Sequence, residues 1–280
     1  MVPAEIVVLG VAQDGGYPQA GCRGDCCATA WQDSDRRRMV ACLGIVDAKS
    51  QQQWLIDCTP DFPKQLHELD GIDGMFLTHA HIGHYTGLIH LGREAMDTSR
   101  LPVYAMPRMR AFLESNAPWN QLVEAGKIEL CGLSDRQRFE LSERLNVTPL
   151  LVPHRGEFSE TVGYCIRGTD RSALFLPDID GWESWTRQIE ELLDDVDVAY
   201  LDGTFFDSEE LSGRDLSTIP HPTITDSIRQ FSRLSDSVRG KIRFLHFNHT
   251  NPVLNPQSAA ARAVAAAGHH LAVEGERFTL

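Results

Sequence analysis

Short apolar runs bounded by polar or turn-forming residues recur along the whole chain and predict its secondary structure. Strands are predicted at residues 5–11, 39–46, 53–57, 74–78, 102–105, 127–131, 145–153, 161–166, 172–177, 196–202, 242–247 and 271–279. Amphipathic stretches predict helices at residues 62–70, 84–95, 106–115, 182–193, 223–234 and 257–267. Runs of strands, followed by strands that alternate with helices, indicate an α/β (α+β) protein in which helices cover mixed sheets.

No linker, low-complexity tract or repeat interrupts this pattern. The 280 residues are enough for one large hydrophobic core, and we expect a single domain over residues 1–280. The polar segment at residues 207–218 contains serine and glycine, and its length predicts a mobile loop near a functional site.

Three histidines lie close together directly after the apolar run at residues 75–77. They are His79, His81 and His84, within the sequence Thr-His-Ala-His-Ile-Gly-His at residues 78–84. A helix would place metal-binding histidines four positions apart, whereas this spacing predicts a strand end that continues into a tight turn at Gly83. Neutral imidazole is the commonest protein ligand for zinc-like ions, so these residues predict half of a metal site.

Other candidate ligands also follow apolar runs. His154, Asp178 and His246 each stand at the end of a predicted strand. Ligands at strand ends, on loops above a rigid scaffold, are typical of an active site. The alternative, that each is an unrelated structural histidine or aspartate, remains our interpretation of isolated residues such as His67 and His90.

The seven cysteines fall into two groups. Cys42, Cys58, Cys131 and Cys165 are scattered singly in apolar stretches, where cysteine is usually a small buried hydrophobic residue. Cys22, Cys26 and Cys27 are clustered, which in a cytosolic chain favours metal binding over a disulfide. A closed zinc site needs four ligands, and the alternative is three free thiols on a loop.

The charge and hydropathy of the chain indicate which kinds of partner to expect. The formal net charge of −13 opposes a nucleic-acid partner, because phosphate binding needs a face rich in lysine and arginine. No apolar run reaches the roughly 20 residues of a membrane span, and the N-terminus lacks a cationic start. We expect a cytoplasmic protein that binds a small-molecule substrate, and a homodimer remains open.

The histidine sequence resembles the His-x-His-x-Asp-His motif of the metallo-β-lactamase superfamily, with Gly83 in place of the aspartate. The resemblance implies a four-layer αββα sandwich, in which two mixed sheets are flanked by helices. It also implies a first metal held by His79, His81 and His154, a second held by His84 and His246, and a bridging catalytic carboxylate, Asp178. Because Gly83 offers no ligand, we expect a weak second site or one selective for iron. Asp14, Asp61 and Asp180 are candidates to compensate.

A second resemblance concerns the cysteines. The sequence His246-Phe247-Asn248-His249 is similar to that of the phosphodiesterases of phosphonate breakdown, in which three cysteines and one histidine hold a structural zinc. This likeness implies that His249 completes a zinc site with Cys22, Cys26 and Cys27, while His246 faces the reaction.

Four segments, at residues 10–19, 201–206, 219–222 and 250–255, resemble the pyrroloquinoline-quinone biosynthesis protein B family most closely. Together the resemblances imply a metal-dependent hydrolase of a small ester, phosphodiester or lactone with one or two zinc, manganese or iron ions. The alternative is an iron-dependent oxidative enzyme, or a carrier protein, in the biosynthesis of that redox cofactor. His221, which lies between two prolines, is the candidate proton donor, and its alternative interpretation is a helix-start residue.

Overall fold

The computed structural model describes residues 3–211 and 220–280, and these residues form two seven-stranded mixed sheets. The first sheet contains β1 (Ala4–Gly10), β2 (Cys42–Asp47), β3 (Gln52–Ile56), β4 (Gly74–Phe76), β5 (Leu101–Ala105) and β6 (Ile128–Gly132). The second contains β7 (Phe139–Ser142), β8 (Leu145–Leu151), β9 (Val162–Arg167), β10 (Ser172–Leu176), β11 (Val198–Asp202), β12 (Ile242–Leu245) and β13 (His270–Leu271). The last strand, β14 (Arg277–Thr279), returns to the first sheet beside β1.

Both sheets combine antiparallel and parallel pairs. In the first, the pairs from β14 through β3 are antiparallel and those from β3 to β6 are parallel. In the second, the pairs from β7 to β10 are antiparallel and those from β10 to β13 are parallel. Parallel neighbours end at the same edge of a sheet, so residues that follow β4, β10, β11 and β12 can meet in a shared cleft.

Helices cover the sheets. They are α1 (Asp25–Gln32), α2 (Phe62–Leu69), α3 (Ile82–Tyr85), α4 (Pro107–Ser115), α5 (Trp119–Glu124), α6 (Thr186–Asp195), α7 (Ile224–Phe231), α8 (Asp236–Arg239) and α9 (Ala259–Ala266). The predicted arrangement of two mixed sheets flanked by helices is confirmed.

The core is divided by the first sheet, as β1 shows. Ile6 and Val8 belong to the large apolar cluster that includes the second sheet, whereas Val7 and Leu9 pack in a separate cluster with α2 and α4. Successive side chains of a strand point to opposite faces, so a strand buried on both faces reads as a continuous apolar run. This is why β1 shows no alternation of apolar and polar residues in the sequence.

Two predicted elements were wrong. The helix predicted at residues 84–95 is instead the short α3 followed by a 3-10 helix, Thr86–Leu91. Gly83, Gly87 and Gly92 lower helical propensity there, and a Cβ atom at Gly87 would lie 2.2 Å from the carbonyl oxygen of Thr59. The strand predicted at residues 271–279 is split between the two sheets at Gly275, whose φ of +83° requires a turn.

Other elements were missed or fall outside the description. Helices α1, α5 and α8 and strand β7 were not predicted from the sequence. Within the segment 207–218, residues 208–211 form a 3-10 helix, and residues 212–219 lie outside the described part of the chain. Cys42, Cys58 and Cys165 are buried as predicted, but Cys131 is only half-buried. Within the described ranges, no helix is long and apolar enough to cross a membrane.

Candidate metal centre

The predicted ligands meet in one cleft at the edge where strands from both sheets end. The three motif histidines follow β4 of the first sheet and continue into α3. The remaining predicted ligands follow strands of the second sheet, which are β8 for His154, β10 for Asp178 and β12 for His246. The sequence folds this way locally because each apolar strand is buried and its polar successor is the first residue free to leave the sheet.

A first group of ligand atoms surrounds His81. Its Nδ1 lies 2.8 Å from His79 Nε2 and 3.4 Å from His154 Nε2. Asp178 borders the group, with Oδ1 3.8 Å from His154 Nε2 and Oδ2 4.0 Å from His79 Nε2. The three nitrogen atoms are close enough together to share one ion.

A second group lies on the other side of Asp178. Its Oδ2 is 3.2 Å from His84 Nε2 and 3.3 Å from His246 Nε2. Asp14, one of the three residues that the sequence offered to compensate for Gly83, also reaches this group. Its Oδ1 lies 3.2 Å from His84 Nε2 and 3.7 Å from His246 Nε2. Zinc bound at about 2.0–2.2 Å by nitrogen and oxygen separates tetrahedral ligand atoms by roughly 3.3–3.6 Å. The second group has nearly this spacing.

The hydrogen-bonding state of the second group supports a bound cation. In the described part of the chain, four buried atoms of this group make no hydrogen bond: Asp14 Oδ1, His84 Nε2, Asp178 Oδ2 and His246 Nε2. Buried polar atoms almost always have a partner, and unpartnered atoms clustered at such short separations are a common sign of an ion. The donor set of imidazole and carboxylate suits zinc, manganese or iron.

Hydrogen bonds fix the orientation of the histidine rings through their other nitrogen atoms. His84 Nδ1 lies 2.7 Å from Asp57 Oδ2, and His79 Nδ1 lies 3.0 Å from Thr78 Oγ1. Asp57 also accepts a hydrogen bond of 2.8 Å from the backbone N–H of Thr78. Such contacts select one tautomer and turn the Nε2 atoms of His79 and His84 towards the cleft.

The electrostatics of the cleft favour a positive charge. Burial lowers the pKa of His79, which keeps its imidazole in the neutral form that binds metal. Burial also acts to lower the pKa of His84, but Asp57, Asp14 and Asp178 outweigh it and raise that pKa well above its usual value. Burial acts to raise the pKa of Asp178, but the nearby histidines outweigh it and hold that pKa well below its ordinary range. The Asp178 carboxylate therefore stays ionised and attracts a cation.

The candidate proton donor lies at the same cleft. The ring of His221 is centred 5.5 Å from that of His154, and its side chain is buried. His221 Nδ1 lies 2.8 Å from Asp202 Oδ2, which leaves Nε2 for proton transfer. Burial acts to lower the pKa of His221, but Asp202 outweighs it and raises the pKa. The predicted proximity of His221 to the ligands is therefore present.

Two residues of this network were missed from the sequence. The Thr204 hydroxyl donates to Asp202 Oδ1 at 2.7 Å and lies 2.9 Å from His246 Nδ1, which connects the proton donor to a ligand. Asp202 is the last residue of β11 and Thr204 lies just beyond it, much as the ligands lie just beyond their strands. Their position at a strand end was the signal that could have identified them.

The clustered cysteines also come together with His249. The sulfur atoms of Cys22 and Cys26 are 3.6 Å apart, and His249 Nδ1 lies 3.5 Å from Cys26 Sγ and 3.4 Å from Cys27 Sγ. Zinc with bonds of about 2.3 Å to sulfur and 2.0 Å to nitrogen separates such ligands by roughly 3.5–3.8 Å. Cys26 and Cys27 lie in the first turn of α1, not on a loop. The arrangement fits a closed four-ligand site.

Comparisons with known proteins agree with this architecture. A family profile described as a Beta-lactamase superfamily domain matches residues 52–271. The chain is similar to Coenzyme PQQ synthesis protein B of Methylorubrum extorquens, with 26% identity over 96% of this chain and 98% of that protein. It is also similar to the protein of the same name from Xanthomonas axonopodis pv. citri, with 28% identity over 98% of this chain and 99% of that protein.

Two solved structures share the fold. Zn²⁺-bound PqqB from Methylobacterium extorquens superimposes with a TM-score of 0.82 at 23% identity, covering 99% of this chain and 100% of that one. A diphosphatase from the PhnP family gives a TM-score of 0.69 at 24% identity, covering 100% and 98% respectively. The profile match, the paired mixed sheets and the histidines after β4 lead to one conclusion: the chain belongs to the metallo-β-lactamase superfamily.

Proposed function

We propose that this protein is a metal-dependent hydrolase of a small ester, phosphodiester or lactone that uses two divalent cations. The observation that carries the proposal is the position of Asp178 between two groups of convergent ligand atoms. The first cation would be held by His79, His81 and His154, and the second by His84 and His246, with Asp178 shared between them. Cations there would polarise the scissile group and lower the pKa of a bound water molecule towards neutrality.

In this proposal the chain's own residues orient the substrate and move the proton. His221 Nε2 donates a proton to the leaving group, and Asp202 acts as a positioning residue that fixes the ring through Nδ1. Beside His221, a cavity of roughly 370 Å³ is lined in part by Trp182, Arg229 and Arg233. Asp180, Glu183 and Asp226 also line this cavity, so its walls carry charges of both signs. Its volume and polar walls suit a small polar molecule.

A second candidate function rests on the likeness to Coenzyme PQQ synthesis protein B over nearly the full length of both chains. In that case the protein acts in the synthesis of the redox cofactor, either as an iron-dependent oxidative enzyme at His84, Asp178 and His246 or as a carrier. Two histidines and one carboxylate with open positions are the ligand set of non-haem iron oxygenases.

Hydrolysis can be separated from oxidation by one assay. Protein loaded with zinc, manganese or iron would be tested without oxygen on a p-nitrophenyl ester, bis(p-nitrophenyl) phosphate and an aliphatic lactone. We expect one substrate class to be hydrolysed, and His81→Ala to lose that activity while His67→Ala, a change on the exposed face of α2, retains it. Absence of hydrolysis by protein that holds both ions, or turnover only with oxygen, would reject the proposal.

We propose that Cys22, Cys26, Cys27 and His249 hold a separate structural zinc. Cys22→Ala removes one of four ligands, so we expect it to lower the zinc content by about one ion per chain and to reduce the melting temperature. Elemental analysis and thermal unfolding measure the two effects. Cys131→Ala, which changes a half-buried cysteine outside the cluster, is the matched control and should keep the full content. Equal zinc in both variants would contradict the assignment.

A further inference from the structure

We propose that Asp14 is a direct ligand of the second cation and that Gly83 is required to admit it. The carboxylate that the histidine motif lacks would then come from the N-terminal segment after β1. This inference rests on the two-cation site of the proposed function, and it adds a ligand and a steric requirement. It predicts a complete second site, in contrast to the weak one expected from Gly83 alone.

The position of the carboxylate is the first argument. Asp14 Oδ1 is buried without a hydrogen bond and faces His84 Nε2 and His246 Nε2, which are also without one. Asp178 Oδ2 lies 3.2 Å and 3.3 Å from the same two nitrogen atoms, so both carboxylates lie at separations from this histidine pair that suit a bound cation. A carboxylate oxygen buried in this way is costly in free energy without a cation or another partner.

The space around Gly83 is the second argument. A Cβ atom at Gly83 would lie 2.4 Å from Asp14 Oδ1 and 2.5 Å from Asp14 Cα. The second of these contacts involves the backbone, so a rotation of the Asp14 side chain could not relieve it. Any side chain at residue 83 would therefore displace the segment that carries Asp14. Glycine at this position is the steric partner of Asp14, and an aspartate at residue 83 could not join it in the same structure.

The attachment of the N-terminal segment is the third argument. The backbone N–H of Gln13 donates to the carbonyl oxygen of Phe247 at 2.9 Å, and the Asn248 amide donates to Gln13 Oε1 at 2.6 Å. Gln13, the residue directly before Asp14, is thus held by the residues that follow His246. A ligand that is held in place before the ion binds loses little conformational entropy on binding.

The other two carboxylates considered from the sequence have different contacts. Asp61 Oδ2 accepts a hydrogen bond of 3.0 Å from the backbone N–H of Val40, and its Oδ1 pairs with Lys64. Asp180 Oδ1 lies 2.9 Å from His154 Nδ1, on the side of the imidazole away from the ligand nitrogen. Of the three candidates, only Asp14 faces the second group.

Manganese binding tests the assignment independently of activity. Protein whose cysteine cluster is loaded with zinc would be freed of active-site metal and titrated with Mn²⁺ by calorimetry and electron paramagnetic resonance. We expect two Mn²⁺ ions per wild-type chain with a spin-coupled signal. Asp14→Asn keeps the shape of the side chain but loses its charge. We therefore expect the second ion to bind about 10- to 100-fold more weakly, while the first ion is retained. The coupled signal should become mononuclear.

Two further variants complete the experiment. Gly83→Ala retains every carboxylate but displaces Asp14, and it should reproduce the loss of the second ion. Asp61→Asn changes a neighbouring carboxylate outside the group and should bind two ions as the wild type does. Wild-type affinity for both ions in Asp14→Asn or Gly83→Ala would overturn the proposal, as would an equal loss in Asp61→Asn. If wild-type protein binds two ions but hydrolyses no substrate, the proposed function fails and the Asp14 assignment stands.

Discussion

Asp178→Asn is expected to lower hydrolytic turnover by at least about 10³-fold while the chain still folds. A single hydrogen-bond donor to the reacting group is worth about 10²- to 10³-fold. The loss should exceed this range because Asp178 lies between the two ligand groups. Its Oδ1 lies near His154 Nε2 of the first group, and its Oδ2 lies near His84 Nε2 of the second. Asparagine has nearly the same shape, so the buried site is not left with a cavity. Steady-state kinetics, together with metal analysis, measure the effect.

The control for Asp178→Asn is a carboxylate in the same half of the molecule. Asp195 lies at the end of α6 and forms an exposed ion pair with Arg167, which is not one of the metal ligands. Asp195→Asn should retain the turnover and metal content of the wild type, since exposed ion pairs contribute little to stability. Turnover above a tenth of the wild-type value in Asp178→Asn would show that the shared carboxylate is not needed for the reaction.

His221→Ala is expected to slow the hydrolysis of substrates with poor leaving groups by about 10²- to 10⁴-fold. A leaving alkoxide needs a proton in the transition state, whereas p-nitrophenolate departs readily without one. For p-nitrophenyl substrates we therefore expect a loss of less than about tenfold. The measurement is kcat over a series of leaving groups of increasing pKa, in which the variant should show the steeper dependence.

Because Asp202 positions the His221 ring, a change at Asp202 should also alter how the rate depends on the leaving group. Asp202→Asn should reproduce the steeper dependence in weaker form, and the double variant should be little worse than His221→Ala, because the two residues act as one unit. His67→Ala serves as the control histidine. A loss in His221→Ala that is equal for good and poor leaving groups would indicate a structural role for this residue, such as support for the start of α7.

The sequence contained enough information for most of the site but only part of the fold. His79, His81 and His84 could be recognised because they are adjacent in the chain, and His154, Asp178 and His246 because each follows an apolar strand. These are local signals, and parallel strands that end at one edge bring such residues together. The helix predicted at residues 84–95 failed because tertiary packing around Gly87, which lies against Thr59, overrode the local pattern.

Features that depend on contacts between distant segments were beyond the sequence alone. The place of Asp14 is determined by hydrogen bonds to residues 247 and 248, which are remote in the chain. The division of the predicted terminal strand between two sheets depends on which edge each half reaches. The helical first turn that presents Cys26 and Cys27 is short, and its N-cap, Gly24, makes no side-chain hydrogen bond. None of these has a period or a motif that could be read along the chain.

The close approach of Gly83 to Asp14 also constrains how this family could have diverged. If the Cβ of residue 83 and the backbone of residue 14 compete for one volume, the two placements of the carboxylate are alternatives. A lineage that exchanges one for the other must pass through a sequence with neither carboxylate, or must rebuild the segment after β1 in the same period. Homologues that share this segment should therefore be acidic at one of the two positions and not at both. In such a lineage, the carboxylate ligand would come from a different part of the sequence but would occupy the same place beside the histidines.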